Sequence, residues 1–364
     1  MRMHPHILWF ALLVFVADGP AAEPPAVLST GPARRSRYAL PIRERSFLMG
    51  TAGFAPAHFP KMDAEDMSQF WKDVAAAGEL HGVHTDWRDL KILELTAKSV
   101  SVDLVVGLGF QRPAEWKRDV EALTRTIKED VLGRHRRVKY LFVGNEVTRL
   151  YEDHPAEFPD FVAAYKQVYA DVRKAFPAVK VFTTFQYESL LGEAYVRGLP
   201  KRDPQWSLLK QFDGHLDLVG ITTYPYLQYT DPKLIPDTYF SRIAERVDRP
   251  LAITETAWMA RSEFGGRLKP LSDQGYTGSE DEQARFVQRL AQLSGTAPIE
   301  FTNWLHVNDF APWEDGDTPA NPGLAMFIST ALKYHNGREK AVWKLWLDLK
   351  GLPQKTKVLP STLP

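Results

Sequence analysis

One strand constrains this chain more than any other stretch. Val138, Tyr140, Leu141, Phe142 and Val143 form an apolar run, rich in β-branched and aromatic residues. Its length and composition are those of a strand buried on both faces, the kind found in parallel sheets covered by helices. The run stops at Gly144, Asn145 and Glu146, because a glycine, an amide and a carboxylic acid are poor strand formers. Residues 250–258, Pro-Leu-Ala-Ile-Thr-Glu-Thr-Ala-Trp, repeat the design: Glu255 ends an apolar strand and Trp258 lies behind it.

Around these two strands the chain alternates. Residues 46–53 read as the first strand and 79–84 as a weaker second, ending in His84-Thr85-Asp86-Trp87. The third spans 102–109, the fourth 137–146, and the fifth 180–186, with Tyr187 and Glu188 at its end. The sixth spans 216–224, the seventh 250–258 and the eighth 299–304. Helical spacing fills the gaps. Asp63 caps a helix carrying Met67, Phe70, Trp71 and Val74, and another covers 89–98. Pro113 opens one long helix with Trp116, Val120, Leu123, Ile127 and Val131 spaced by threes and fours. Further helices are predicted over 161–176 and 238–246. Ser279 and Glu282 form a capping box ahead of Phe286, Val287, Leu290 and Leu293, and a last helix covers 323–334.

Eight strands alternating with helices predict a single-domain α/β fold, a (β/α)8 TIM barrel over residues 46–340. Residues 23–45, rich in Pro, Ala and Arg, are expected to be a loose lead-in, and 341–364 a basic C-terminal tail. The connections after strands four, seven and eight are the longest and are expected to wall a cleft.

Composition narrows the class. Arg2 followed by the apolar run from Ile7 to Val16, with Ala21 and Ala22 beyond it, reads as an export signal over residues 1–22. The run is too short to span a bilayer. With 0 cysteines there are no disulfides and no thiolate metal site. A secreted or periplasmic bacterial protein, free of the membrane once the signal is removed, is the expectation. Lys plus Arg and Asp plus Glu number 45 each, so the chain has no basic footprint for nucleic acid. It is expected to be a monomer. Gly107-Leu-Gly109 lacks the third glycine of a dinucleotide loop. His81 and His84 point to opposite faces of a strand and cannot share a metal. No cofactor and no metal are called for.

Barrels present reactive side chains at the C-terminal ends of their strands. Carboxylic acids at the ends of strands four and seven, facing each other across the pore, are what glycosidic bond cleavage requires. One carboxylate attacks the anomeric carbon and the other protonates the leaving oxygen. Val143-Gly-Asn-Glu146, Ile221-Thr-Thr-Tyr-Pro-Tyr226 and Ile253-Thr-Glu-Thr-Ala-Trp258 resemble the strand-four, strand-six and strand-seven signatures of clan A glycoside hydrolases. Within the clan they are similar to those of endo-β-1,4-galactanases and β-1,3-glucanases. The resemblance implies Glu146 as general acid/base and Glu255 as nucleophile. It further implies that Asn145 binds the sugar 2-hydroxyl and that Tyr224 orients the nucleophile. Trp304, at the end of strand eight, resembles the clan's sugar-stacking platform.

Trp258, Trp313, Tyr226 and Tyr229 are candidates for further sugar subsites. His84, Asp86, Glu188, His306, Asn308 and Asp309 lie at strand ends, where they would hold substrate hydroxyls. The strand-two ending lacks the arginine of several clan families, and Asn303-Trp-Leu-His306 departs from the galactanase pattern, so the sugar stays open. The reading is a retaining hydrolase of β-glycosidic bonds in a poly- or oligosaccharide. A β-transglycosylase using the same carboxylates and a non-catalytic carbohydrate-binding barrel remain as alternatives.

Overall fold

The structure, a computed structural model, describes residues 38–53, 64–195, 197–261, 278–309 and 327–355. Residues 1–37, with the expected export signal, lie outside these, as do Asp63, most of the 259–278 connection, Trp313 and residues 323–326. Nine strands are described: β1 (Leu48–Ala52), β2 (Leu80–Asp86), β3 (Asp103–Gly109), β4 (Val138–Val143), β5 (Lys180–Phe182), β6 (Thr184–Gln186), β7 (Val219–Thr222), β8 (Leu251–Thr256) and β9 (Ile299–Leu305). All pair in parallel, in the order β5-β4-β3-β2-β1-β9-β8-β7-β6.

The two ends of that order are one strand of the predicted eight. β5 pairs with β4 and β6 pairs with β7, and only Thr183 separates them. Thr183 donates from Oγ1 to Gly144 O at 3.2 Å, and its carbonyl accepts from Gly220 N at 3.1 Å. A bend at this residue lets the fifth strand serve both neighbours, and the sheet closes into the (β/α)8 barrel the alternation predicted. Closure leaves no edge with unpaired backbone groups.

The interior is filled by unequal neighbours. The Phe142 ring occupies the space a Cβ on Gly107 would need, and Asn303 does the same against Gly50. At the far end, Tyr140 Oη and Lys180 Nζ both donate to Glu300 Oε1, at 2.9 and 2.6 Å, and Phe301 packs edge-on against Tyr140. The pore is therefore plugged from below and open to chemistry only at its C-terminal mouth.

The described α-helices are α1 (Ala64–Ala77), α2 (Lys91–Ser99), α3 (Pro113–Trp116), α4 (Val120–Thr126), α5 (Val147–Asp153), α6 (Phe158–Ala175), α7 (Tyr187–Leu191), α8 (Trp206–Gln211), α9 (Ser241–Ala244), α10 (Glu280–Leu293) and α11 (Ala341–Lys350). The single helix expected from Pro113 is broken. Trp116 Nε1 donates to Phe110 O and pins its first turn, and Ile127–Leu132 winds on as a wider π-type turn. Ser279 caps α10 as expected, accepting from Glu282 N.

The C-terminal expectations need correction. Residues 329–340 contain turns and short bridges and no helix. The last described helix is α11, in the segment read as a tail. Val342, Trp343, Leu345, Trp346 and Leu349 are buried, a helical spacing that neighbouring lysines obscured. The described part of the lead-in is also fastened down. Arg45 donates to Glu79, Arg45 N bonds Pro353 O at 2.9 Å, and Lys355 N bonds Arg45 O at 2.8 Å.

The same packing overturns the platform role of Trp304. Its ring is fully buried between Phe286 of α10 and Trp346 of α11, and Nε1 donates to Thr330 O at 2.8 Å. The indole finds its polar partner inside the helix layer, so no face remains for a sugar. Trp304→Ala should therefore destabilise the fold by about 3–5 kcal/mol, read as a loss of denaturation midpoint. A variant that unfolds like the wild type would return Trp304 to the pore.

Candidate active site

The mouth of the pore is organised by the end of β7. Three consecutive residues there donate to three different carboxyl groups. Thr222 Oγ1 donates to Glu146 Oε1 at 2.7 Å, Thr223 Oγ1 to Glu188 Oε1 at 3.2 Å, and Tyr224 Oη to Glu255 Oε2 at 2.5 Å. Thr222 is also the register partner of Glu255 across the β7–β8 ladder. Its side chain thus meets one acid while its backbone lies beside the other, bringing the predicted pair together.

Local backbone explains the placement. β4 ends in two residues of positive φ, Gly144 at 79° and Glu146 at 49°. A Cβ on Gly144 would run into the Phe161 ring and Val147, so only glycine turns the chain here. Left-handed backbone is uncommon for a glutamate and is strained. Thr184 holds this turn from β6: its Oγ1 accepts from Glu146 N and donates to Asn145 Oδ1, both at 2.8 Å. Thr184 thereby fixes the Asn145 amide through its carbonyl oxygen. On the other side, the β7–β8 register slips between Ile221 and Thr222, and β8 carries the extra residue there. A bulge re-aims a side chain, and this one falls beside Glu255.

Burial raises the pKa of both acids. Glu146 is pushed above the ordinary range by desolvation, with Glu152 adding to it, while the Thr222 hydroxyl and Arg149 pull it down. Glu255 is pushed up to about 7 by desolvation and by the nearby Glu146 charge, against the stabilising Tyr224 hydroxyl. Two such groups titrate as a pair. The short Tyr224 phenol bond favours the charged form of Glu255.

The other expected site residues divide. His84 is partly exposed, its ring 5.8 Å from Phe142 and beside Gly109, and burial pushes its pKa down to about 4, so it is neutral. Asp86 is exposed and accepts from Arg88 N at 2.9 Å through one oxygen. Trp258 is fully buried against Phe286, and Tyr226 is buried edge-on between Trp258 and Tyr224. Both back the phenol that meets Glu255 and present no ring to a sugar. Asn308 is buried and donates to Tyr334 O, while Asp309 is buried in an ion pair with Lys340 at 2.7 Å. These two fasten the segment after β9, and a hydroxyl-binding role for Asn308 or Asp309 is not what the geometry gives them. Sequence reasoning missed Thr184, Thr222 and Thr223, because threonine at a strand end reads as ordinary strand composition. Among the described residues, no group of three or more His, Asp or Glu is set to hold a metal.

No family model and no curated relative matches the chain. Solved structures do match. A family 39 glycoside hydrolase from the gut symbiont Bacteroides cellulosilyticus superposes with TM-score 0.57 at 15% identity, over 85% of this chain and 64% of that one. The GH53 catalytic domain of Ignisphaera aggregans gives TM-score 0.58 at 13% identity, over 86% of this chain and 98% of that one. A β-D-glucuronidase of Dictyoglomus thermophilum gives 0.55 at 14%, over 86% of this chain but only 52% of its own. The likeness is one of fold. The barrel is shared with glycoside hydrolases. The chain spans under two thirds of the length of the first and third of these.

Removing the phenol OH tests the electrostatics directly. A hydrogen bond to the charged form lowers a carboxyl pKa, so Tyr224→Phe should raise the midpoint of Glu255. Carbon-13 NMR of carboxyl-labelled glutamate reads it, and an unmoved midpoint would separate Tyr224 from Glu255 in solution.

Proposed function

We propose that this chain is an exported, retaining glycoside hydrolase that cleaves β-glycosidic bonds of a poly- or oligosaccharide. The observation that carries the reading is the pair of half-buried acids at the ends of β4 and β8, bridged by one strand end that donates to both. Glu255, in its charged form, attacks the anomeric carbon while Glu146, in its protonated form, gives its proton to the departing glycosidic oxygen. The resulting glycosyl ester of Glu255 is hydrolysed by water, whose proton returns to Glu146, and two inversions restore the β configuration. Asn145, anchored by Thr184, would offer its NH2 to a sugar hydroxyl, and neutral His84 another contact. The apolar stretch from Ile7 to Val16 supports export, and the long connections following β8 and β9 suit an extended substrate.

The two carboxyl roles give different phenotypes. Glu146→Ala should lower kcat about 10²–10⁴-fold on natural glycosides, and much less in the glycosylation step of substrates whose leaving group needs no proton. Equal loss on both kinds would refute the acid assignment. Glu255→Ala should abolish turnover and, with azide and an activated β-glycoside, yield the α-glycosyl azide. NMR of the first-formed wild-type product should show the β anomer; an α product would mean the wrong carboxylate pair.

A further inference from the structure

Three carboxyl groups surround the end of β7, and the reaction above uses two. Glu188 is the third. It lies in the first turn of α7, 3% exposed, and accepts from Thr223 Oγ1 at 3.2 Å. Thr223 Oγ1 also lies 2.6 Å from Tyr239 Oη. Tyr239 is itself held: its ring stacks on Tyr187 with centroids 4.0 Å apart, and its carbonyl accepts from Tyr187 Oη at 2.7 Å. Burying a carboxyl group is costly, and an apolar residue of similar volume would fill the space without that penalty. Burial, with Glu146 and Glu193 acting in the same sense, pushes its pKa up to about 8 against its own backbone N–H and the Thr223 hydroxyl. At neutral pH it is an uncharged acid beside a reaction site.

We propose that Glu188 is a positioning residue of this site: through Thr223 it fixes the end of β7 so that Thr222 meets Glu146 and Tyr224 meets Glu255. The proposal rests on Glu146 and Glu255 being the reacting pair. Thr223 is gripped on both sides, its hydroxyl by Glu188 and Tyr239 and its N–H by Glu255 O at 3.0 Å. Its two chain neighbours are the donors to the reacting acids. Without Glu188, the hydroxyl keeps Tyr239 alone, and both neighbouring donors lose their aim. Glu188 is too deeply buried to touch substrate, so its effect passes through these neighbours.

Glu188→Gln keeps a neutral acceptor for Thr223, whereas Glu188→Leu and Thr223→Val remove the bond. The readouts are carboxyl carbon-13 titrations, which need no turnover, and steady-state kinetics on an aryl β-glycoside. The wild type should show a carboxyl titrating near pH 8 that Glu188→Gln lacks. In Glu188→Leu and Thr223→Val, Glu146 should titrate at higher pH, because the Thr222 hydrogen bond that favours its charge is weakened; in Glu188→Gln it should not move. The kcat should fall about 10- to 100-fold in the first two with KM little changed, and Glu188→Gln should restore most of it. An unmoved Glu146 midpoint and full kcat in Glu188→Leu and Thr223→Val would reduce Glu188 to packing. A Glu188→Gln protein as inactive as Glu255→Ala would make it a reacting group instead. If the wild type turns over no glycoside while the Glu146 midpoint still moves, positioning stands and the hydrolase reading fails.

Discussion

Closure at Thr183 is the constraint on which the rest depends. Eight parallel strands close only if the fifth reaches both its neighbours, and the bend at Thr183 accomplishes this with one bond to Gly144 and one from Gly220. The same seam carries the site. Gly144 precedes Asn145 and Glu146, Thr184 holds both, and Gly220 lies two residues before Thr222. The residues that seal the barrel are thus continuous with those that set the acids, so the geometry of the pair is inherited from the geometry of the sheet.

Burial and hydrogen bonding oppose each other at the pore mouth. Desolvation disfavours the charged forms of Glu146, Glu188 and Glu255 alike. Hydroxyl donors from one strand end return part of the lost solvation, and they do so unequally. A phenol at 2.5 Å supports charge on Glu255 more strongly than a threonine at 3.2 Å supports it on Glu188. Unequal donors on adjacent acids separate their pKa values, and such separation lets one carboxyl carry a proton while its neighbour does not.

Much of this was legible in the chain. The alternation of apolar strands and amphipathic helices indicated the barrel, and Glu146 and Glu255 stood out as acids ending buried strands, while Asn145 and Tyr224 were drawn in by the resemblance of their segments to clan A signatures. Trp304, Trp258 and Tyr226 misled for one reason. An indole or phenol near a strand end has the same sequence signature whether it faces the pore or the helices, and a single register step decides which. α11 was missed because its apolar stripe is interleaved with lysines. The threonines were invisible because their role lies in where their hydroxyls point, a property of neighbouring strands.

The clasp between the two ends of the described chain bears on when the molecule can fold. Trp346 Nε1 donates to Ala77 O, Lys350 Nζ to Ala76 O, and residues 353–355 pair with Arg45. β1 also lies beside β9, with more than two hundred residues between them. Contacts so distant in sequence close large loops and form slowly. The N-terminal third of the chain leaves the ribosome long before the helix that covers it, with Ala77 and its neighbours still open to solvent. A barrel whose first and last elements wait for each other remains unfinished until its final turns are made, and so stays pliable throughout its synthesis.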